Sequence, residues 1–218
     1  MTKEGGTLTI EGIGASLDGG AGPLNLETLN VGESGLLARL MIPLCSVLNG
    51  NSMSITGEKT LLSRPLSGAV NIMAAFGVIL TNLDRSRREI RVPVNVNGQI
   101  IPGTADVSGS GGSQLISGLM MALPLCDKPS TLYVGEPKSI PYMYITQDVL
   151  GRFGVKLTCE MEGNAEMLAR QDWSYCTGMT FRIPGRQKYR AADFSIEPDW
   201  SSAANFLVAR GSSPTPWG

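Results

Sequence analysis

Two glycine- and serine-rich loops, Gly32-Glu33-Ser34-Gly35 and Gly109-Ser110-Gly111-Gly112-Ser113, each lead into an apolar run. A loop that enters a buried helix leaves backbone N–H groups unpaired at the positive end of the helix dipole, a place suited to phosphate or carboxylate. Ser113, Gln114 and Ser117 would add side-chain donors at the second loop. A third start of the same kind stands at Ser201-Ser202. Arg39 is the one charge inside its apolar run, and a buried guanidinium must meet an anion, here expected from within the protein. Arg64 immediately precedes the proline of the next element, so at that helix mouth the expected partner is a bound ligand. The chain contains no histidine, which removes Ser-His-Asp and Cys-His nucleophile systems and His-ligated metals together. Carboxylates, lysine, arginine, hydroxyls and backbone amides are left to do any chemistry. Cys45, Cys126, Cys159 and Cys176 are scattered without a C-x-x-C pair, so neither a zinc site nor a disulfide framework is indicated.

The elements that must position these groups come twice. Gly57-Glu58, Arg64-Pro65 and Phe76-Gly77-Val78 reappear as Gly135-Glu136, Pro141-Tyr142 and Phe153-Gly154-Val155, an offset of 77 to 78 residues. A repeat at fixed period signals a repeated unit of architecture. Each unit reads strand, helix, strand, helix, strand, strand, which makes the chain α/β. The first covers 28–102, with helices over 35–48 and 65–76 and closing strands over 89–95 and 99–102. The second covers 104–183, with helices over 113–123 and 141–153 and closing strands over 155–161 and 179–183. Pro65 and Pro141 are expected at the first helical position, Gly77 and Gly154 just past the end. Leu36, Leu37, Leu40, Met41, Ile42 and Leu44, like Leu115, Ile116, Leu119, Met120, Met121 and Leu123, leave no broad polar face, so both first helices are expected to be buried. Pro43 predicts a kink or an early end. Phe194 to Glu197 reads as a strand before a third helix, and the Ser/Pro/Gly-rich end from Gly211 as disordered.

A formal net charge of −1 and the lack of a basic stripe indicate neither nucleic acid nor a membrane surface as partner. Arg85-Ser86-Arg87-Arg88 reads as a solvated loop. The longest apolar stretch, Leu115 to Cys126, is interrupted and too short to span a bilayer. The first residues, Met1 to Gly6, lack an apolar secretion segment, and the expected location is the cytoplasm.

Five segments, in order, resemble one family. Val31 to Leu40 is similar to the G-N-[AS]-G-T-x-x-R-x motif of the 5-enolpyruvylshikimate-3-phosphate synthases, and Leu62-Ser63-Arg64-Pro65-Leu66 to their R-P segment. Ser108 to Gln114 resembles the G-S-x-S-S-Q loop, Ser139-Ile140-Pro141-Tyr142 the S-x-P-Y motif, and Glu197 to Ala203 the E-G-D-x-S-S-A crossover. The resemblance implies the enolpyruvyl transferase fold, in which helix N-termini of repeated units face a cleft between two domains. The implied reaction moves the enolpyruvyl group of phosphoenolpyruvate to the 5-hydroxyl of shikimate 3-phosphate, releasing phosphate, with no metal or organic cofactor. By position, Ser113, Gln114, Ser139 and Tyr142 would hold shikimate 3-phosphate, while Gly35 and Arg64 would lie against phosphoenolpyruvate. Residues 1–197 would form a partial substrate-binding domain, with a remnant of an earlier unit at its start, and 198–218 the crossover to a second domain and a tail. The family's acid/base residues belong to segments this resemblance does not cover, so the chain is expected to bind without turning over, and its exposed apolar surface to favour self-association. Glu33, Leu36 and Gly112 depart from the motifs, where Asn, Thr and Ser are usual. A carboxylate at position 33 would repel an anionic substrate unless a cation neutralises it. A UDP-N-acetylglucosamine enolpyruvyl transferase and a non-catalytic degenerate module are the alternative readings.

Overall fold

In the computed structural model, which describes residues 1–12, 26–48 and 52–211, two four-stranded sheets share one topology. The first runs in the order β3 (Thr28–Asn30), β4 (Met53–Thr56), β6 (Val94–Asn97), β5 (Ile79–Asn82), and the second in the order β7 (Thr104–Ser108), β8 (Ser130–Gly135), β10 (Cys176–Ile183), β9 (Thr158–Gly163). In each, the first pair is parallel and the others antiparallel. A parallel pair needs a crossover, and α1 (Gly35–Leu48) and α3 (Gln114–Ala122) supply it. Period-two burial fixes the registers: Val94 and Val96 face inward, as do Leu132 and Val134 and, on β10, Met179, Phe181 and Ile183. Outward-facing Asn95 accepts a 2.6 Å bond from Ser54 across the β4–β6 pair. A small hairpin of β1 (Thr2–Glu4) and β2 (Thr7–Thr9) precedes the sheets.

The sheets meet through α1 and α3, which cross where Gly118 faces the backbone of Arg39 and Leu40. A Cβ at 118 would stand 2.8 Å from the Leu40 carbonyl oxygen and 3.1 Å from that of Arg39, so only glycine permits this approach. Pro43 does not end α1, which continues to Leu48. Having no N–H, Pro43 leaves the Arg39 carbonyl without its intrahelical donor, and that carbonyl faces Gly118.

Burial of the two crossover helices is unequal. Leu115 through Met120 are all buried, as the apolar run predicts. In α1, Ala38, Ile42 and Cys45 face the core, whereas Leu36 and Leu37 are 52% and 41% exposed. Only the face spaced by a helical turn meets α3 and the first sheet, so the expectation of a fully buried first helix is corrected.

Boundaries hold better in the second unit. Pro141 sits in the first turn of α4 (Ile140–Arg152), but Pro65 is not helical. It forms a bridge with Arg91, the Leu66 amide bonds to the Ile90 carbonyl at 2.8 Å, and α2 begins only at Ala69, after left-handed Gly68, and ends at Ala74. The closing strands of the first unit are β5 and β6 rather than 89–95 and 99–102. Leu80 is buried opposite Val96, while Asn82 is spent on the Arg87 and Glu89 carbonyls and the Arg91 amide, which keeps 87–91 in a loop. Gly77 and Gly154 both adopt positive φ at the helix ends, and the back-bonds are the same: Val78 to Met73 and Gly77 to Ala74, Val155 to Leu150 and Gly154 to Gly151. Phe194 to Glu197 is not a strand; Phe194 packs 6.4 Å from the Phe153 ring with Arg152 at 5.2 Å. A short α5 (Ala165–Ala169) lies between β9 and β10, and α6 (Trp200–Gly211) follows. The tail beyond it lies outside the described residues.

Candidate functional site

Each parallel strand pair delivers two chain segments to the same sheet end. The amide of Glu58, after β4, donates to the Gly32 carbonyl, after β3, at 2.8 Å; the amide of Gly109, after β7, donates to Gly135 at the end of β8 at 2.7 Å. The carboxyl ends of parallel strands are where α/β sheets bind ligands. Gly109 is required there, since a Cβ would come within 2.8 Å of Val134 and Pro137.

In the first unit, Asn30 fixes the loop by accepting from the Gly32 amide at 2.8 Å and donating to Glu58 at 3.0 Å. Ser34 caps α1 through its hydroxyl, which accepts from the Leu37 amide at 3.1 Å. Two guanidinium groups converge on the side of Gly35 where a side chain would stand. A Cβ there would be 3.1 Å from Nη1 of Arg39 and 3.8 Å from Nη1 of Arg64. Arg39, half-buried, donates to the Gly35 carbonyl at 3.0 Å and the Pro65 carbonyl at 2.9 Å. Its internal partners are thus dipoles rather than the expected anion. Burial, with Arg64 adding like charge, lowers its pKa. Two cations beside a helix N-terminus form an electropositive site.

Glu33 does not oppose that site unaided. It accepts from Lys59 Nζ at 3.1 Å, from the Thr60 hydroxyl at 3.2 Å and from the Thr60 amide at 3.4 Å. The Lys59 bond, then the Thr60 amide, hold its carboxyl below the usual value, and Arg64 adds to this. These bonds tie the α1 entry loop to the 3-10 turn Lys59–Ser63, after which Arg64 follows in extended conformation.

In the second unit, Gly112 takes φ +100 and α3 begins at Gln114. Ser113 is 5% exposed, and its hydroxyl does not cap the helix. Ser139, at φ +58, precedes α4 and likewise makes no side-chain cap. Tyr142 projects from the first turn of α4 and is 62% exposed. The Ser117 and Thr146 hydroxyls are 2.8 Å apart and Thr146 donates to the Tyr142 carbonyl, joining the two helices within two turns of their starts. Ser113 and Tyr142 are each one turn earlier on their helices, so both helix mouths open on one side. A Cβ on Gly111 would stand 3.6 Å from the Ser67 carbonyl oxygen, and a cavity of about 360 Å³ between Ser67, Asn71, Asp106 and Ser110 separates the two units' loops.

A family model described as EPSP synthase (3-phosphoshikimate 1-carboxyvinyltransferase) matches residues 2–211. The chain belongs to the EPSP synthase family. It is 30% identical over 216 residues to a 3-phosphoshikimate 1-carboxyvinyltransferase of Methanococcoides burtonii, covering 99% of this chain and 45% of that one. It is 32% identical over 202 residues to the protein of that name from Buchnera aphidicola subsp. Baizongia pistaciae, covering 90% and 43%. Among solved structures it is similar to an EPSP synthase of Acinetobacter baumannii, with a TM-score of 0.58 at 21% identity over 84% of this chain and 36% of that one, a likeness of fold. The chain therefore spans less than half the length of the curated relatives it matches.

Of the positions implied by the EPSP synthase motifs, Gly35 and Arg64 are brought together directly, and Ser113-Gln114 and Ser139-Tyr142 stand at neighbouring helix mouths. The third start differs. At α6 the Asp199 carboxylate accepts from the Ser201 amide at 2.9 Å, the Ser202 amide at 3.2 Å and the Ser202 hydroxyl, so an internal anion already fills it. These bonds, led by the Ser202 hydroxyl, lower the Asp199 pKa. Sequence reading missed Lys59 and Thr60 as partners of Glu33. The one available signal was that a carboxylate in such a loop needs a cation. It also missed Thr146, which the i, i+4 spacing from Tyr142 places over the same helix face. No described helix is long and apolar enough to cross a membrane.

Proposed function

We propose that this chain is the anion-binding half of an enolpyruvyl transferase of the shikimate pathway. Ser113 and Gln114, with Ser139 and Tyr142, take the phosphate and ring of shikimate 3-phosphate. Gly35 and Arg64 take phosphoenolpyruvate, whose enolpyruvyl group is transferred to the 5-hydroxyl as phosphate is released. The observation that carries this reading is the pair of guanidinium groups that converge on Gly35 at the N-terminus of α1. A phosphate or carboxylate placed there would meet backbone N–H groups, the helix dipole and a charge-assisted contact with Arg64. Arg39, already bonded to two carbonyls, supplies field rather than a second contact.

Ligand binding and turnover separate in this account. The proposed half-site is electropositive and rich in hydroxyls, and is suited to holding two anions. Proton transfer to and from the enolpyruvyl carbon needs acid/base groups closing from the other side of the cleft. The chain alone is expected to bind and not to turn over.

Calorimetric titration with shikimate 3-phosphate, with shikimate as the control lacking the phosphate, tests the reading. Phosphate-dependent binding that weakens about tenfold in Gln114→Ala, the size of one charge-assisted hydrogen bond, supports it. Equal heats from both ligands, or none from a folded sample, contradict it.

A further inference from the structure

A second concentration of positive charge lies outside the helix mouths. A cavity of about 690 Å³ opens between the 3-10 turn Lys59–Ser63 and the loop that joins β5 to β6, and Lys59, Ser63, Arg87, Arg88, Glu89 and Arg91 line it. With Leu62 completing the lining, four of the seven residues are cations and one is an acid, and the basin is shallow and open to solvent.

The guanidinium groups are aimed by the backbone rather than by their acidic neighbours. Arg87 Nη1 donates to the Leu62 carbonyl at 3.1 Å and the Val92 carbonyl at 3.4 Å, and Arg91 Nη1 donates to the Ser63 carbonyl. Each also has one carboxylate partner, Asp84 at 3.1 Å from Arg87 Nε and Glu89 at 2.6 Å from Arg91 Nη2. Lys59 pairs with Glu33. Arg88 is exposed and has no partner among the described residues. The carboxylate side chains are largely exposed, Glu89 at 62%, and exposed ion pairs contribute little stability. A more highly charged ligand can therefore displace Glu89 from Arg91 while the bond to the Ser63 carbonyl keeps the guanidinium in place.

We propose that this basin is a binding site for a compact, multiply phosphorylated small molecule, distinct from the helix-mouth site. Arg91 and Arg88 grip adjacent phosphate groups, Arg87 and Lys59 supply the surrounding field, and Glu89 is the intramolecular competitor. Several phosphates are needed because one alone would merely exchange with Glu89. Among the described residues no aromatic ring lines the cavity, so a nucleobase would gain no stacking platform. The ligand class is polyphosphate or phosphorylated polyol.

The test is calorimetric titration of the chain with inorganic tripolyphosphate, pyrophosphate and orthophosphate at low ionic strength. Affinity is expected to rise in the order orthophosphate, pyrophosphate, tripolyphosphate and to fall with added salt. Arg88→Ser is expected to weaken tripolyphosphate binding about tenfold, as for loss of one charge-assisted bond. Glu89→Gln removes the competitor and is expected to tighten binding severalfold, a change of sign that a misfolded variant cannot imitate. Arg64→Ser removes the helix-mouth contact alone and is expected to leave the response of tripolyphosphate binding to Glu89→Gln unchanged. Binding that Glu89→Gln leaves alone or weakens, binding abolished by Arg64→Ser, or no binding by a folded sample would each overturn the proposal. Because the Arg64 arm separates the two sites, failure here leaves the helix-mouth reading intact.

Discussion

Glu33 shows how a substitution that looks hostile to an anion site is absorbed by its surroundings. Its charge is taken up by Lys59 and by the Thr60 hydroxyl and amide, and those bonds anchor the segment that presents Arg64. Since its folded pKa lies below the ordinary 4.5, the stability these bonds add is present above that pH and is lost as pH falls through the depressed value. Urea midpoints measured from neutral pH down to about pH 3 should therefore show wild type above Glu33→Gln at neutrality and the gap closing with acid. A pH-independent gap would mean that the side chain acts through packing alone. The thiols give a second residue-scale expectation. Burial pushes Cys45 and Cys159 up to about 12 and Cys126 to about 11, so native protein should react with iodoacetamide far more slowly than a free thiol, with full reactivity on unfolding. Rapid alkylation of folded protein at any of these three would contradict the packing described.

At the scale of elements, the crossing of α1 and α3 governs how the two units' helix mouths are spaced. Gly118 sets the interhelical distance, and Gly118→Val should destabilise by about 1–3 kcal/mol, the usual range for overpacking, as read from urea unfolding. A neutral result would show that the helices separate without loss. Much of this level was legible in the sequence, because its signals are local. Gly77 and Gly154 mark helix ends since the backbone there needs positive φ, and the apolar run in α3 is buried from Leu115 through Met120. What escaped was tertiary. Pro65 has the same local signature as Pro141, yet its segment bridges to Arg91 instead of starting a helix. The strand at Ile79–Asn82 was missed because only Leu80 among its four residues is fully buried, so its alternation is weak. In the site, residue types pointed to Gly35, Arg64 and the Ser113-Gln114 loop. Lys59 and Thr146 become visible only when distant segments meet.

Most of the described residues form two copies of one unit, each turning the carboxyl ends of a parallel strand pair and two chain entries toward one side. It also leaves apolar side chains in water: Leu36 at 52% exposure, Trp200 at 72%, Phe206 at 79% and Leu207 at 63%. We propose that the chain self-associates through such surface. Sedimentation velocity should show the mean mass rising with concentration, and a sharp monomer boundary across the range would refute it. The central claim concerns where an anionic substrate sits, and amide NMR shifts of the isotope-labelled chain titrated with shikimate 3-phosphate test it most directly. Saturable shifts concentrated at Gly112 to Ser117 and Ser139 to Tyr142, absent with shikimate, are the predicted result. Shifts confined to Arg87 through Arg91, or spread without saturation, would contradict it.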